Sequence, residues 1–239
     1  MFDWDKVVTN FSGPYYSAIL MFVVELTALI IAVFYVRKSK IGRAFILYIA
    51  FDFLLLIIDK ILPGFTGISK KDFNIFLNYT NTIIAAVELF VYYYFFYNTL
   101  QNKKSKIIIL ILTSSYSFVI FIYLINGFIF LTDRFNYISY LLGAIEFIFL
   151  LPFCLLYFRQ LLNNISTIKL FNRPSFWIVC GIFFFSFISA PFYLLVDYFK
   201  YYAPAPKSQQ LLAALYYIPF TINFIFLIKA FLCKKALTI

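Results

Sequence analysis

The chain has 239 residues, 64% of them hydrophobic, 23% aromatic and only 13% charged, with a formal net charge of +10. A soluble domain carries about 25% charged residues, so these proportions exclude an ordinary globular domain and predict an all-α, polytopic membrane protein. Histidine is absent, which removes histidine-ligated haem, a Ser-His-Asp triad and the histidine-bound zinc of intramembrane hydrolases.

Apolar stretches of 18 or more residues without charge read as membrane spans. Ile107–Thr132, Pro174–Val196 and Ser208–Ile228 are free of charge, and the other long apolar runs are broken by single carboxylates. The pattern predicts seven helices, at 15–36, 41–62, 75–98, 107–131, 137–158, 175–198 and 209–232. Each is long enough for a hydrocarbon core of about 30 Å. They form one domain over 1–239, a seven-transmembrane helix bundle with short connections. Pro63-Gly64 and Pro204-Ala-Pro206 mark two of the turns. The N-terminus carries Asp3 and Asp5 beside a single Lys6 where a signal peptide would be basic. The first helix is therefore expected to stay in place.

Taken in order, helix 1 carries Glu25 at its centre and helix 2 carries Asp52, with Asp59 seven residues on. Helix 3 carries Glu88, preceded at helical spacing by Asn74, Asn78, Asn81 and Ala85. Its inner end, Tyr92-Tyr93-Tyr94-Phe95-Phe96-Tyr97, reads as an aromatic belt at the membrane interface. Helix 5 places Ser139, Gly143 and Glu146 on one face, and helix 6 does the same with Ser186, Ser189, Tyr193 and Asp197. Helix 7 lines up Gln209, Ala213, Tyr216 and Asn223. Pro152, Pro191 and Pro219 interrupt helices 5, 6 and 7, each as a packing kink or as a hinge.

Loop charge sets the orientation. One side holds Arg37, Lys38, Lys40, Arg43, Lys103, Lys104, Lys106, Arg159, Lys169, Arg173, Lys229, Lys234 and Lys235, with no acid among them. The other mixes Lys6, Lys60, Lys70, Lys71, Arg134, Lys200 and Lys207 with Asp3, Asp5, Asp59, Asp72, Asp133 and Asp197. The purely basic side is expected in the cytoplasm, with the N-terminus outside and the C-terminus inside. These cations lie between apolar spans, so they set topology and are not a nucleic-acid surface. They suit the anionic lipid of the bilayer or an acidic signalling partner.

The candidate site is the buried acid. A charge at the bilayer centre costs at least ~2.5–3.5 kcal/mol, and intramembrane acids are functional by default. Glu25, Asp52, Glu88 and Glu146 have no lysine or arginine at their depth. With Asn78, Asn81, Ser186, Ser189, Tyr193, Tyr216 and Asn223 they are expected to line a polar cavity open to the outside, floored by the carboxylates. Glu88 has the longest polar face and ranks first. The bland alternative is structural. Protonated acids hydrogen-bond Ser, Thr or Asn on neighbouring helices for about 0.6 kcal/mol each.

Nothing implies a cofactor, a bound metal or an enzyme. The three cysteines have no zinc spacing, and no phosphate-binding glycine motif occurs. Lys229 lies too near the inner end of helix 7 for a retinal Schiff base. The string Asn172-Arg173-Pro174-Ser175-Phe176-Trp177-Ile178, followed by Gly181-Ile182-Phe183, resembles a segment of small seven-helix membrane proteins of Bacteroidetes. Glu88-Leu89-Phe90, followed by Tyr94-Phe95-Phe96-Tyr97, is similar to the same group. The resemblance implies a bacterial inner-membrane component working beside sensory kinases. Three functions follow as expectations. The first is a receptor-like sensor that signals through a separate partner. The second is a proton- or cation-coupled transporter of small molecules. The third is a structural membrane subunit.

Overall fold

The computed structural model describes residues 16–61, 70–130, 134–163, 170–202 and 206–233. The side chains of 16–18, 59–61, 70–75, 77–78, 126–130, 134–140, 196–202 and 206–216 lie outside that description. All described secondary structure is helical: α1 Tyr16–Tyr35, α2 Lys40–Ile61, α3 Lys70–Thr99, α4 Lys103–Phe130, α5 Arg134–Asn163, a 3₁₀ turn Leu170–Asn172, α6 Pro174–Tyr202 and α7 Pro206–Phe231. The seven expected helices are all present. Several run past the apolar stretch that announced them: α3 starts at Lys70 instead of 75, α4 at Lys103 instead of 107, and α5 continues to Asn163 instead of 158. Hydropathy marks the part of a helix that prefers hydrocarbon. The backbone hydrogen bonding continues through Lys, Asn and Gln, which are tolerable helix residues.

Four segments are long and apolar enough to cross a membrane: Lys40–Ile58, Lys103–Ile125, Leu141–Asn163 and Pro174–Leu195. Ile19–Tyr35 and Tyr217–Phe231 are shorter apolar helices. The outer surface agrees with that character. Leu20, Phe34, Leu47, Phe90, Leu155 and Phe187 are all exposed, on a scale a soluble monomer rarely shows. In α4, Ile107, Ile111, Phe118 and Phe121 are exposed as well, so this helix lies at the periphery.

Consecutive helices pack against each other, and α7 closes the ring against α1. The helix that departs from the ring order is α3, which also packs on α5. Its Tyr92 reaches α7 as well, so the inner face of α3 meets α2, α5 and α7. Small residues permit the closest approaches. A Cβ on Gly143 of α5 would come within 2.8 Å of the Tyr193 ring of α6. A Cβ on Gly181 of α6 would come within 2.8 Å of Phe226 and 2.9 Å of Asn223 on α7. Helices in lipid gain their association from such packing, since apolar burial offers no advantage over the acyl chains.

The end of the bundle that carries Lys40, Lys103 and Arg173 is tightly tied. Ser39 caps α2 by accepting the Gly42 amide at 2.8 Å. Asn102 caps α4 by accepting the Lys104 amide at 2.9 Å. Gln160 of α5 bridges to the α3–α4 turn: its Oε1 accepts the Gln101 amide at 2.7 Å, and its Nε2 donates to the Thr99 carbonyl at 3.3 Å. Trp177 donates to the Phe171 carbonyl at 2.9 Å, and the Lys229 ammonium sits 5.7 Å from the Trp177 ring.

Candidate functional site

Helical spacing brings the acids inward. Glu25 on α1, Asp52 on α2, Glu88 on α3 and Glu146 on α5 are all buried, Glu25 completely. They form a series. Asp52 lies within electrostatic reach of both Glu25 and Glu88, and Glu88 within reach of Glu146. α3 makes this possible, because it packs against both α2 and α5. Among the described residues, no set of three or more acids and thiols is arranged to hold a metal ion. The four carboxyls form a chain of neighbours across α1, α2, α3 and α5.

Two tyrosines complete the arrangement. Tyr48 stands one turn from Asp52 on α2, and Tyr92 one turn from Glu88 on α3, and both are buried. Their rings meet edge to face with centroids 6.0 Å apart. Both hydroxyls lie beside the Glu88 carboxyl. The Tyr48 hydroxyl is also within electrostatic reach of Asp52 and Glu25. Asn223 of α7 donates from Nδ2 to the Tyr92 hydroxyl at 2.9 Å. α7 thus joins the site one turn from Glu88. On the far side, Tyr116 of α4 donates to the Leu142 carbonyl at 3.0 Å and lies within electrostatic reach of Glu146.

Several of these polar atoms make no hydrogen bond with the protein. They are Oε1 and Oε2 of Glu25, Oδ2 of Asp52, Oε1 of Glu88, Oε1 of Glu146, Oγ of Ser186 and Oδ1 of Asn223. More than nine in ten buried polar groups in folded proteins are paired. The oxygens of Glu25, Asp52 and Glu88 among them belong to neighbouring acids, whereas Ser186 lies on α6.

The sequence-predicted residues divide as follows. Glu25, Asp52, Glu88 and Asn223 come together around Tyr48 and Tyr92, with Glu146 next to Glu88. Ser186 and Ser189 are buried on α6. Tyr193 is half-buried over Gly143, edge-on to Phe147 at 5.2 Å. Asn81 is exposed, and the buried polar residue at its level is Thr82. The side chains of Asn78 and Tyr216, with Asn74, Asp59, Ser139, Asp197 and Gln209, lie outside the described residues. The outer mouth of the expected cavity lies outside them too.

The aromatic belt is corrected. Tyr94 and Tyr97 are exposed, but Tyr92, Phe95 and Phe96 are fully buried. Six consecutive aromatics on a helix point all round it, so where the helix packs on its neighbours one face of them enters the core. Phe45 packs against Tyr92, Phe95 and Phe231 at centroid distances of 6.0–6.2 Å, and Phe96 packs on Phe153 at 5.6 Å. These rings form an apolar layer between the carboxylates and the basic end. Sequence reasoning missed Tyr48 and Tyr92 as site residues. The signal that would have found them is their i, i+4 spacing to Asp52 and Glu88.

The fold and surface define the class: this is an α-helical membrane protein with a buried, acid-rich polar centre. No protein-family model, curated protein or solved structure matches the chain.

Proposed function

We propose that the chain is a multi-pass, receptor-like sensor of the cell (inner) membrane. All seven helices would cross the bilayer, with the basic end in the cytoplasm and the N-terminus outside. The observation that carries this reading is the buried polar centre of Glu25, Asp52, Glu88 and Tyr48, with the packed rings of Phe45, Phe95, Phe96 and Phe231 between it and the basic end. Such a centre would respond to a positive or polar ligand, and the packed rings beyond it would pass the response on as a change of helix packing. The output would leave through the basic end, where Arg37, Lys40, Lys103 and Arg173 suit an acidic partner or anionic lipid.

A second reading is favoured by a specific observation. Pro152, Pro191 and Pro219 lie inside three successive helices, α5, α6 and α7, where they free carbonyls and permit bending. Helices that bend around a midplane acid site are the working parts of a coupled transporter.

One pair of measurements decides. The full-length protein is reconstituted in liposomes for proton and sodium flux, and crosslinked in its native membrane to identify a regulator whose activity is then assayed. The sensor reading expects no flux, and a regulator output altered by Glu88→Gln. Flux abolished by Glu88→Gln establishes the transporter instead.

A further inference from the structure

We infer that the seam between α6 and α7 holds one anionic phospholipid of the surrounding bilayer, with its phosphate on Lys229 and an acyl chain along Trp177, Phe226 and Phe184. Such a site serves a sensor or a transporter alike. It needs only that this end of the bundle meets a membrane interface.

Lys229 and Trp177 form the head of the site. Lys229 lies in the last turn of α7 and Trp177 in the first turn of α6, so the two meet at the basic end. The indole is held by its Nε1, which donates to the Phe171 carbonyl at 2.9 Å. The Lys229 ammonium stands 5.7 Å from the centre of the Trp177 ring, a cation–π contact that positions the charge without neutralising it. Lys229 is exposed. Among the residues whose side chains are described, the acids are the four buried in mid-helix, and none pairs with Lys229. The ammonium carries three N–H donors and no acceptor. At the level of the interface, the anion that suits it is the phosphate of a lipid headgroup.

Inward from Lys229 the seam is aromatic. The Phe226 ring of α7 lies 5.8 Å from Trp177, and Phe184 of α6 stacks on Phe226 at 5.8 Å with the ring planes 12° apart. Gly181 stands between Trp177 and Phe184 on the same face of α6. A Cβ there would come within 2.8 Å of Phe226, so the missing side chain is what lets α7 close onto this face. Phe184 is exposed, and Trp177 and Phe226 are half-buried, so the rings present an outward surface. From Trp177 to Phe184 the helix advances about 10 Å, roughly two thirds of one leaflet of a ~30 Å core. A soluble acidic partner can meet Lys229 but cannot follow the rings into hydrocarbon. An anionic phospholipid does both.

The test uses the full-length protein carrying Trp4→Phe, which leaves Trp177 as the sole tryptophan, in phosphatidylcholine nanodiscs. Phosphatidylglycerol with brominated acyl chains, which quench indole fluorescence on contact, is titrated as a rising fraction of the lipid. Brominated phosphatidylcholine is the reference. The expected result is saturable quenching with an affinity about five-fold higher for the anionic lipid, the contribution of one basic residue near the surface. Lys229→Gln should bring the two lipids to parity. Lys103→Gln, at the same end but on α4, should leave the preference in place. Equal quenching by the two lipids before Lys229 is changed overturns the lipid site and leaves that lysine to an acidic protein partner. An equal loss in Lys103→Gln and Lys229→Gln also overturns it, since the preference then belongs to the field of the whole basic end. Displacement of the brominated lipid by inorganic phosphate, beyond the effect of sodium chloride at equal ionic strength, overturns the membrane as the source.

Discussion

At the scale of the residue, two positions repay substitution. Asn223 donates to the Tyr92 hydroxyl across the core, from α7 to α3. Interhelical hydrogen bonds within membranes average about 0.6 kcal/mol, with a maximum near 1.7. Asn223→Ala should therefore lower the stability of the protein in detergent by about 0.5–2 kcal/mol. Tyr92→Phe should cost a similar amount, and the double variant little more than either alone. A double-mutant cycle on thermal unfolding checks this, and full additivity would mean that the bond contributes nothing. The second position is Gly42, where a Cβ would run into the Val36 carbonyl and the Ser39 cap. Backbone cannot move aside as a side chain can. Gly42→Ala is expected to destabilise by about 1–3 kcal/mol, read as a lowered unfolding temperature. Little of this was legible beforehand. Asn223 stood out as a polar residue in an apolar run, but its partner is 131 positions away. Tyr92 looked like one more ring in an aromatic tract.

At the scale of the element, the α5–α6 and α6–α7 contacts each pass over a glycine with no room for a side chain. The Tyr193 ring of α6 occupies the space that a side chain at position 143 of α5 would need. Gly143→Ala should loosen the α5–α6 contact and lower Tm. Tyr193→Ala should recover part of that loss, since removing the ring makes room for the methyl. Absence of any such rescue in the double variant would show that the clash is relieved elsewhere. The helices themselves were readable from hydropathy, and each expected span has its helix. The error was at the ends: α3, α4 and α5 continue into polar sequence, because helix propagation depends on backbone hydrogen bonds and hydrocarbon preference does not. The face that each helix turns inward was less readable. When most residues are apolar, periodicity no longer separates the inside from lipid. Thus Glu88 and Asn81, on one helical line, differ in burial.

At the scale of the whole molecule, orientation gives the cleanest test. Cys233 lies just beyond α7 at the basic end and is half-buried, while Cys154 is fully buried. With Cys154 and Cys180 replaced by serine, a membrane-impermeant maleimide should leave Cys233 unmodified in intact cells and label it once the membrane is opened. Labelling from outside would reverse the proposed orientation. The sequence by itself determined that this chain is helical and belongs in a membrane, where its helices are, and that four acids sit deep within them. Those are local properties: twenty apolar residues prefer lipid whatever their neighbours do, and backbone in lipid must satisfy its own hydrogen bonds. Only the tertiary structure decided that α3 packs between α2 and α5, so that Asp52, Glu88 and Glu146 stand in series with Glu25. It also decided that Tyr48 and Tyr92 join them and that an aromatic layer lies beneath. Among helices that are apolar on every side, neighbours are chosen by shape and by a few scattered polar contacts. Such choices, like that of Gly181 against Asn223, are made between residues far apart in the chain and leave no period in the sequence.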